Sequence, residues 1–261
     1  MFPTLNNNPL LKHTQLVTLG SSLVQNSQDT PTSSIHPVQN VAVRKPFFIG
    51  CWNVRTLMNT GSQCLTLKTL HEYKLDVTCL SEVRIRGSGC NSVKIPGVDT
   101  SYSLYYSGPT DSSGRGGVAI ALNARANKAL IAWEPISPRL IWIRLAGKPF
   151  NISIVAVYAP TLPSDSAVKD DFYDLLQSTI DRIPRQDILF VAGDWNARPG
   201  PIDDSNRHLM GKFSLGHRCD NGDRLLRMAD RNNLFISSTR FQHPKNICIL
   251  GTLMMGTQLV K

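Results

Sequence analysis

The amino-acid sequence predicts an α/β protein built from two layered β-sheets. Apolar runs of strand length alternate with segments of helical periodicity along most of the chain. Some predicted strands follow one another without an intervening helix, unlike the strands of a simple doubly wound parallel sheet. The chain has 261 residues, of which 41% are hydrophobic and 18% charged, so it can form one large domain with a sizeable core.

Residues 1–45 differ in composition from the rest of the chain. They are rich in Asn, Ser, Thr, Gln and Pro, and their apolar residues lack sustained periodicity. We therefore expect a disordered leader. The start of the sequence does not show the charged and apolar pattern of a signal peptide, and no apolar run reaches the length of a membrane span.

The regular elements are predicted from residue 46 onward. Short apolar runs predict strands, and apolar residues three or four positions apart predict helices. In chain order we predict strand 46–52, helix 61–73, strands 75–80, 118–122, 140–145 and 152–158, helix 165–183, strand 187–192, helix 221–233 and strand 234–237.

Charge and cysteine content restrict the function further. The net charge of +9 favours polyanionic partners, although a solvated basic surface without such a partner is the alternative. The six cysteines form no Cys-x-x-Cys pair, which argues against a zinc site. Cys51 and Cys79 lie in apolar runs and are predicted to be reduced core residues, as expected of an intracellular protein.

Four of the predicted strands end in polar side chains. Asn53 and Glu82 end the first two, Tyr158 ends a later strand, and Asp194 and Asn196 follow the last of the four. Strand ends that share one edge of a sheet form ligand sites. The order and spacing of these five residues predict a single pocket that can bind a metal ion or handle a proton.

Each of these residues also has a structural interpretation. An asparagine after a strand often makes a turn, Glu82 could be a surface carboxylate, and Tyr-Ala-Pro is a common strand exit. Gly-Asp-Trp-Asn is more specific, because it places a carboxylate and an amide two residues apart after a buried strand. The combination has few purely structural explanations.

Several stretches resemble the endonuclease/exonuclease/phosphatase superfamily. These are Trp-Asn-Val-Arg-Thr-Leu, Leu-Ser-Glu-Val-Arg, Gly-Arg-Gly-Gly-Val-Ala, Val-Tyr-Ala-Pro-Thr and Gly-Asp-Trp-Asn-Ala. The resemblance is strongest to the apurinic-like endonucleases of non-LTR retrotransposons and to the related craniofacial development protein 2-like proteins. Asn-Gly-Asp-Arg-Leu-Leu and Phe-Gln-His-Pro-Lys are further shared stretches, so that the likeness covers residues 47–245.

This resemblance implies a fold, a cofactor and a substrate. The fold is a four-layer α/β/β/α sandwich of the DNase I type, occupying residues 46–245. Mg²⁺, with Mn²⁺ as a possible substitute, would be held by Glu82 with support from Asn53. Asp194 would orient or deprotonate the attacking water, and Asn196 and Tyr158 would donate hydrogen bonds to a phosphate of the DNA backbone.

The sequence also departs from the family pattern. Many relatives have an aspartate where this chain has Arg55, although arginine is usual in the retrotransposon branch. The family further uses an aspartate and a terminal Asp-His or Ser-x-His group. Nothing after His243 supplies that group, and His208 and His217 are predicted to be surface residues.

The last residues, 246–261, do not continue the family pattern. Met254-Met255-Gly256 has codons that spell Asp-Gly in a shifted frame, and the neighbouring bases allow the Thr-Trp-x-Ser of relatives. We hypothesise a frameshift or gene-model error near Lys245. Loss of the last family strands is expected to expose unpaired edges, reduce stability and lower hydrolysis by orders of magnitude.

Three functions remain open from the sequence. The first is a Mg²⁺-dependent DNA endonuclease of the retrotransposon type, impaired by the missing segment. The second is a related phosphatase or phosphodiesterase with a non-DNA substrate, since the metal centre alone does not name the substrate. The third is a non-catalytic remnant that binds DNA or protein. Target-site preference and oligomeric state cannot be predicted from these residues.

Overall fold

The computed structural model describes residues 47–111, 116–214 and 216–240, together with the backbone of two short strands at 17–18 and 252–257. Twelve strands in these parts form two six-stranded sheets. The strands of both sheets run in mixed directions, as the sequence predicts for a two-sheet body.

The first sheet has the strand order β1-β2-β3-β6-β5-β4. Strands β2 and β3 are parallel and joined by helix α1, whose N-terminus is capped by the Asn59 side chain. The other pairings are antiparallel. The bounds are β1 Val17–Thr18, β2 Phe48–Asn53, α1 Thr60–Glu72, β3 Val77–Ser81, β4 Ser88–Lys94, β5 Ser101–Ser107 and β6 Val118–Asn123.

The second sheet has the order β11-β12-β10-β9-β8-β7. Its central strands β9 and β10 are parallel and joined by helix α3, and helix α4 follows β10. The bounds are α2 Ala124–Lys128, β7 Leu130–Ser137, β8 Leu140–Leu145, β9 Ile152–Tyr158, α3 Ser166–Asp181, β10 Ile188–Asp194, α4 Asp220–Arg231, β11 Phe235–Ile236 and β12 Thr252–Thr257.

Three apolar cores separate four layers. The central core lies between the sheets and includes Cys79 of β3 and Phe190 of β10. A second core packs α3 and α4 on the outer face of the second sheet, and a third packs α1 on the outer face of the first. The α/β/β/α sandwich predicted from the resemblance is therefore confirmed. Among the described residues, no helix has the length and apolar content needed to cross a bilayer.

The predicted strands and helices are present with small changes in their bounds. Five strands were not predicted, namely β1 and β12 near the two ends of the sequence, and β4, β5 and β7. Strands β4 and β7 are the outer strands of their sheets. Strand β4 is largely solvent-exposed and carries little hydrophobic signal, whereas β7 is partly exposed and its apolar run at 130–133 was not predicted as a strand. Cys51 and Cys79 are buried, as predicted, whereas His208 and His217 are exposed.

The two ends of the chain contribute backbone to both sheets. Val17–Thr18 pairs with β2, although the sequence predicts a disordered leader there. Thr252–Thr257 pairs with β10 along six residues and with β11 on its other side. The loss of the last family strands is expected to leave unpaired sheet edges, and this edge of β10 is paired. The rest of the predicted leader, His243 and the remainder of the tail lie outside the described residues.

Candidate active site

The polar strand ends meet because two parallel pairs of strands stop at the same edge. Asn53 lies opposite Ser81 in the register of β2 and β3, and Asp194 lies opposite Tyr158 in that of β9 and β10. Glu82 is the first residue after β3. Since the two sheets face each other across the central core, these ends form one rim.

Hydrogen bonds join four of the five predicted site residues directly. The Asn53 amide Nδ2 donates to Glu82 Oε1 at 2.7 Å and to Asp194 Oδ2 at 3.1 Å. The Tyr158 hydroxyl donates to the same Glu82 oxygen at 3.4 Å. Residues from both sheets thus form one cluster around two carboxylates.

Asn196 joins the cluster through its backbone. Its N–H donates to Asp194 Oδ1 at 3.1 Å. Its side-chain amide instead donates to the Ala159 carbonyl at 2.9 Å, just beyond the end of β9. One of the two amide hydrogens is therefore committed to the backbone, and only the second is available for another acceptor.

Unusual backbone conformations end the strands at this rim. Glu82 and Asn196 have φ angles of 58° and 46°, in the left-handed region that non-glycine residues rarely occupy. Gly193 has φ 147°, and a Cβ there would lie 2.0 Å from the Val157 carbonyl oxygen. Only glycine allows β9 and β10 to approach this closely beside the Asp194 and Tyr158 pair.

Burial sets the electrostatics of Asp194. This residue is 5% exposed, and burial raises the pKa of its carboxyl. Hydrogen bonds from the Asn196 N–H and the Asn53 amide oppose that rise, while the nearby charge of Glu82 adds to it. Burial also raises the pKa of Tyr158, and the charges of Glu82 and Asp194 raise it further. Asp194 is thus a carboxylate that holds a proton more readily than an exposed one.

Two arginines belong to the site although they were not predicted as site residues. The Arg139 guanidinium lies 5.2 Å from the centre of the Tyr158 ring and donates to the Tyr158 carbonyl at 3.1 Å. Arg84 approaches Glu82 at 3.8 Å, beyond hydrogen-bond range. Arg84 lies within the Leu-Ser-Glu-Val-Arg stretch and could have been found, whereas Arg139, in the β7–β8 turn, has no sequence signal.

The donor set fits a hard divalent cation. Glu82 offers a carboxylate whose side chain is 25% exposed, and buried Asp194 stands across the Asn53 amide from it. Among the described residues no three His, Cys, Asp or Glu side chains surround one point. Mg²⁺ needs only one or two protein ligands because it retains water, so this set is sufficient. Asn53 turns its nitrogen toward the carboxylates, and its oxygen accepts the Arg55 N–H at 3.1 Å.

Comparisons with known proteins agree with this geometry. The chain is 35% identical over 202 residues to craniofacial development protein 2 of Bos taurus and equally to that of Tragulus javanicus. The matched part is 77% of this chain but 32% of the Bos taurus protein and 33% of the Tragulus javanicus protein, so the chain spans about a third of their length.

Solved structures show the same fold. An AP endonuclease, LMAP, from Leishmania major superposes with a TM-score of 0.57 at 15% identity, covering 82% of this chain and 80% of that one. The endonuclease domain of TRAS1, a telomere-specific non-LTR retrotransposon, superposes with a TM-score of 0.51 at 12% identity, covering 80% and 84%. A model of the endonuclease/exonuclease/phosphatase family matches residues 50–248, and the chain belongs to that family.

Proposed function

We propose that this chain is a Mg²⁺-dependent phosphodiester hydrolase that acts on DNA as an endonuclease of the retrotransposon type. One observation carries the proposal. Glu82 and Asp194 come from different sheets, lie on either side of the Asn53 amide, and receive no hydrogen bond from any arginine of the described residues. Two carboxylates held together in this way are well suited to bind a cation.

The charge around the rim supports a polyanionic substrate. An arginine follows three of the site residues at the second position, so that Arg55 follows Asn53, Arg84 follows Glu82 and Arg198 follows Asn196. Arg55 and Arg198 are exposed, and Arg84 is partly exposed. Cationic side chains beside a cation site favour a nucleic-acid backbone, whose phosphates extend beyond the reacting one. A DNA substrate also explains the net charge of +9 and agrees with our proposal of a nuclear protein.

The residues have distinct proposed roles. Glu82 would hold Mg²⁺, and Asn53 would support it by orienting the Glu82 carboxylate through its amide. The bound ion would supply charge neutralisation and polarise the phosphodiester. Asp194 orients the attacking water and accepts its proton, a role for which a raised pKa is suitable. Tyr158 and the second amide hydrogen of Asn196 donate to the phosphate oxygens.

We further propose that hydrolysis by this chain is slow. The histidines in the described ranges make no hydrogen bond to the cluster, and His208 is instead paired with Asp230 of α4 at 2.8 Å. A site without a histidine at the phosphate lacks one source of charge stabilisation in the transition state. The same observation favours a second candidate function, a non-catalytic remnant that binds DNA.

A plasmid-nicking assay distinguishes these functions. We expect slow, Mg²⁺-dependent relaxation of supercoiled plasmid by the full chain and none by Glu82→Ala. The matched control is Glu134→Ala, because Glu134 lies on β7 and pairs with Arg182 away from the site. Anisotropy with a labelled duplex, measured without Mg²⁺, should show similar DNA affinity for all three proteins.

The outcomes are separable. Nicking that survives in Glu82→Ala rejects the proposed site, and DNA binding without nicking by the wild type supports the non-catalytic function. A version carrying the shifted-frame tail tests the slow rate. If that version and the present chain turn over equally, the Asp-His segment of the family pattern does not limit hydrolysis.

A further inference from the structure

A buried asparagine outside the cluster connects the exits of the two central strands. Asn221 lies in the first turn of α4 and is 1% exposed. Its side-chain Nδ2 donates to the Pro160 carbonyl and to the Asn196 carbonyl, each at 2.9 Å. Pro160 follows β9 and Asn196 follows β10, so a single amide group joins the chain beyond both strands.

The backbone at Asn196 depends on its surroundings. Its left-handed φ of 46° is uncommon for non-glycine residues, although asparagine adopts it more readily than most, and neighbouring groups hold it here. In this conformation its N–H reaches Asp194 Oδ1 and its amide reaches the Ala159 carbonyl. The third contact, through the Asn196 carbonyl, is the one that Asn221 provides.

The first turn of α4 lies directly against the same loop. A Cβ on Gly222 would be 1.9 Å from the Arg198 carbonyl oxygen. The Cys219 N–H also donates to that oxygen at 3.2 Å. The start of α4 is therefore fixed on residues 196–198, which gives Asn221 a rigid base.

We propose that Asn221 is a positioning residue, which holds the Asn196 turn and through it the orientation of Asp194. This inference rests on the proposed function of Asp194 and extends it to a residue that contacts the cluster only through the Asn196 carbonyl. The Asn221 Oδ1 atom is buried and has no hydrogen-bond partner. The side-chain contacts of Asn221 are thus its two donated hydrogen bonds, one to the site residue Asn196 and one to Pro160, just beyond β9.

The test compares two buried asparagines of the same helix. Asn232, at the end of α4, is 7% exposed and exchanges hydrogen bonds with Gln177 of α3, remote from the rim. Asn221→Leu and Asn232→Leu are nearly isosteric changes that each remove a buried amide. Circular dichroism and thermal melting serve to check that both variants fold.

Plasmid nicking with Mg²⁺ supplies the first readout. We expect Asn221→Leu to lower the rate at saturating plasmid by about tenfold or more with KM nearly unchanged, because misplacement of catalytic groups acts on turnover. Asn232→Leu should stay within about twofold of the wild type. Equal rates for the two variants would overturn the proposal.

Amide hydrogen exchange supplies a readout that needs neither substrate nor metal. Exchange of the Asn196 amide should be faster by about tenfold in Asn221→Leu than in Asn232→Leu. If the wild type nicks no DNA, the proposed function fails, and this exchange measurement alone decides the positioning role. Unchanged exchange at Asn196 overturns it.

If Asn221→Leu does not fold, a second variant at the same position tests the proposal. Asn221→Ser is smaller and keeps one donor, so we expect an intermediate loss in nicking rate and intermediate exchange at Asn196. Wild-type values in both measurements would contradict the role.

Discussion

The carboxylates at the two ends of strands β3 and β10 have different partners. At the amino ends, Asp76 precedes β3 and Asp187 precedes β10, and both are almost fully buried. Arg125 binds Asp76 through two nitrogens at 3.0 and 2.6 Å. Arg144 binds Asp187 through two nitrogens at 2.8 and 2.9 Å. Each buried negative charge is thus neutralised by a bidentate guanidinium.

At the carboxyl ends, the same strands lead to Glu82 and Asp194, which lack such a partner. The nearest guanidinium, that of Arg84, stays 3.8 Å from Glu82, and Asp194 receives only neutral N–H donors. Carboxylates bound by bidentate guanidinium groups at one edge hold the strands together, whereas those without a bidentate partner at the other edge leave oxygens available to a ligand. Catalysis and stability should therefore respond separately to mutation at the two edges.

Replacement of Asp194 and of Asp187, one at each end of β10, should show the largest difference in activity. We expect Asp194→Asn to lower the nicking rate by roughly a hundredfold or more, since a general base contributes that much. Asp187→Asn, assayed well below its melting temperature, should keep a rate close to the wild type. Similar losses in both variants would mean that the two edges are not functionally distinct.

The free energy of unfolding should instead fall more on replacement of Asp187 than on replacement of Asp194. Asp187→Ala leaves Arg144 without its partner and removes the acceptor of the Ser153 hydroxyl. We expect the free energy of unfolding to fall by about 3 kcal/mol, as for other broken buried ion pairs. Urea denaturation measures this change, with Asp194→Ala as the comparison. A larger loss in Asp194→Ala would contradict the assignment.

Magnesium should stabilise the chain only by binding at the edge that carries Glu82 and Asp194. A ligand at about a hundred times its Kd adds about 2.7 kcal/mol to the free energy of unfolding. We therefore expect Mg²⁺ to raise the melting temperature of the wild type and of Glu134→Gln, and to leave Glu82→Gln unchanged. An equal rise in all three proteins would place the cation elsewhere.

The pKa of Asp194 predicts a pH dependence of stability. Because folding raises this pKa, the folded state holds the proton more tightly than the unfolded state, and ionisation is unfavourable to folding. The penalty begins above the ordinary carboxyl pKa of about 4 and is complete above the raised one. Asp194→Asn should therefore gain free energy of unfolding relative to the wild type between about pH 4 and pH 7 in chelator. A constant difference over that range would contradict it.

An exposed ion pair should show the smallest effect. Hydrogen bonds from Ser205, and then the Arg218 guanidinium, lower the pKa of Asp203 to about 2. This lowered pKa favours folding above the ordinary carboxyl pKa, and that contribution is lost as the pH falls toward 2. In Arg218→Ala we expect a partial rise of the Asp203 pKa in a carboxyl NMR titration. A full return to the ordinary value would mean that Ser205 contributes nothing.

The sequence predicted those elements whose burial is uniform. Strands β9 and β10 are buried on both faces, so they are apolar along almost their whole length. Strand β4 has six of its seven residues exposed or partly exposed and shows no apolar run, and β7, which has no buried residue, is continuously apolar only at 130–133. Such outer strands form because the adjacent strand offers backbone hydrogen bonds, and the periodicity of apolar residues in the sequence gives no sign of that pairing.

The site was predictable as a location but not as a geometry. Parallel strands place their carboxyl ends together, so the convergence of Asn53, Glu82, Tyr158 and Asp194 follows from the predicted order. The direction of the Asn196 amide does not, because it depends on a left-handed φ and on the Ala159 carbonyl. Arg139 escaped prediction because the β7–β8 turn places it against Tyr158 through a pairing that was not foreseen.

The close contact at Gly193 has a consequence for how this site can change. The spacing between Asp194 and Tyr158 is fixed by main-chain atoms in contact, with no side chain between them that could be exchanged. Substitutions of the side chains at the rim can therefore alter its chemistry while the spacing between β9 and β10 stays the same. Any side chain at position 193 would instead push the two strands apart and displace all the site residues that they carry.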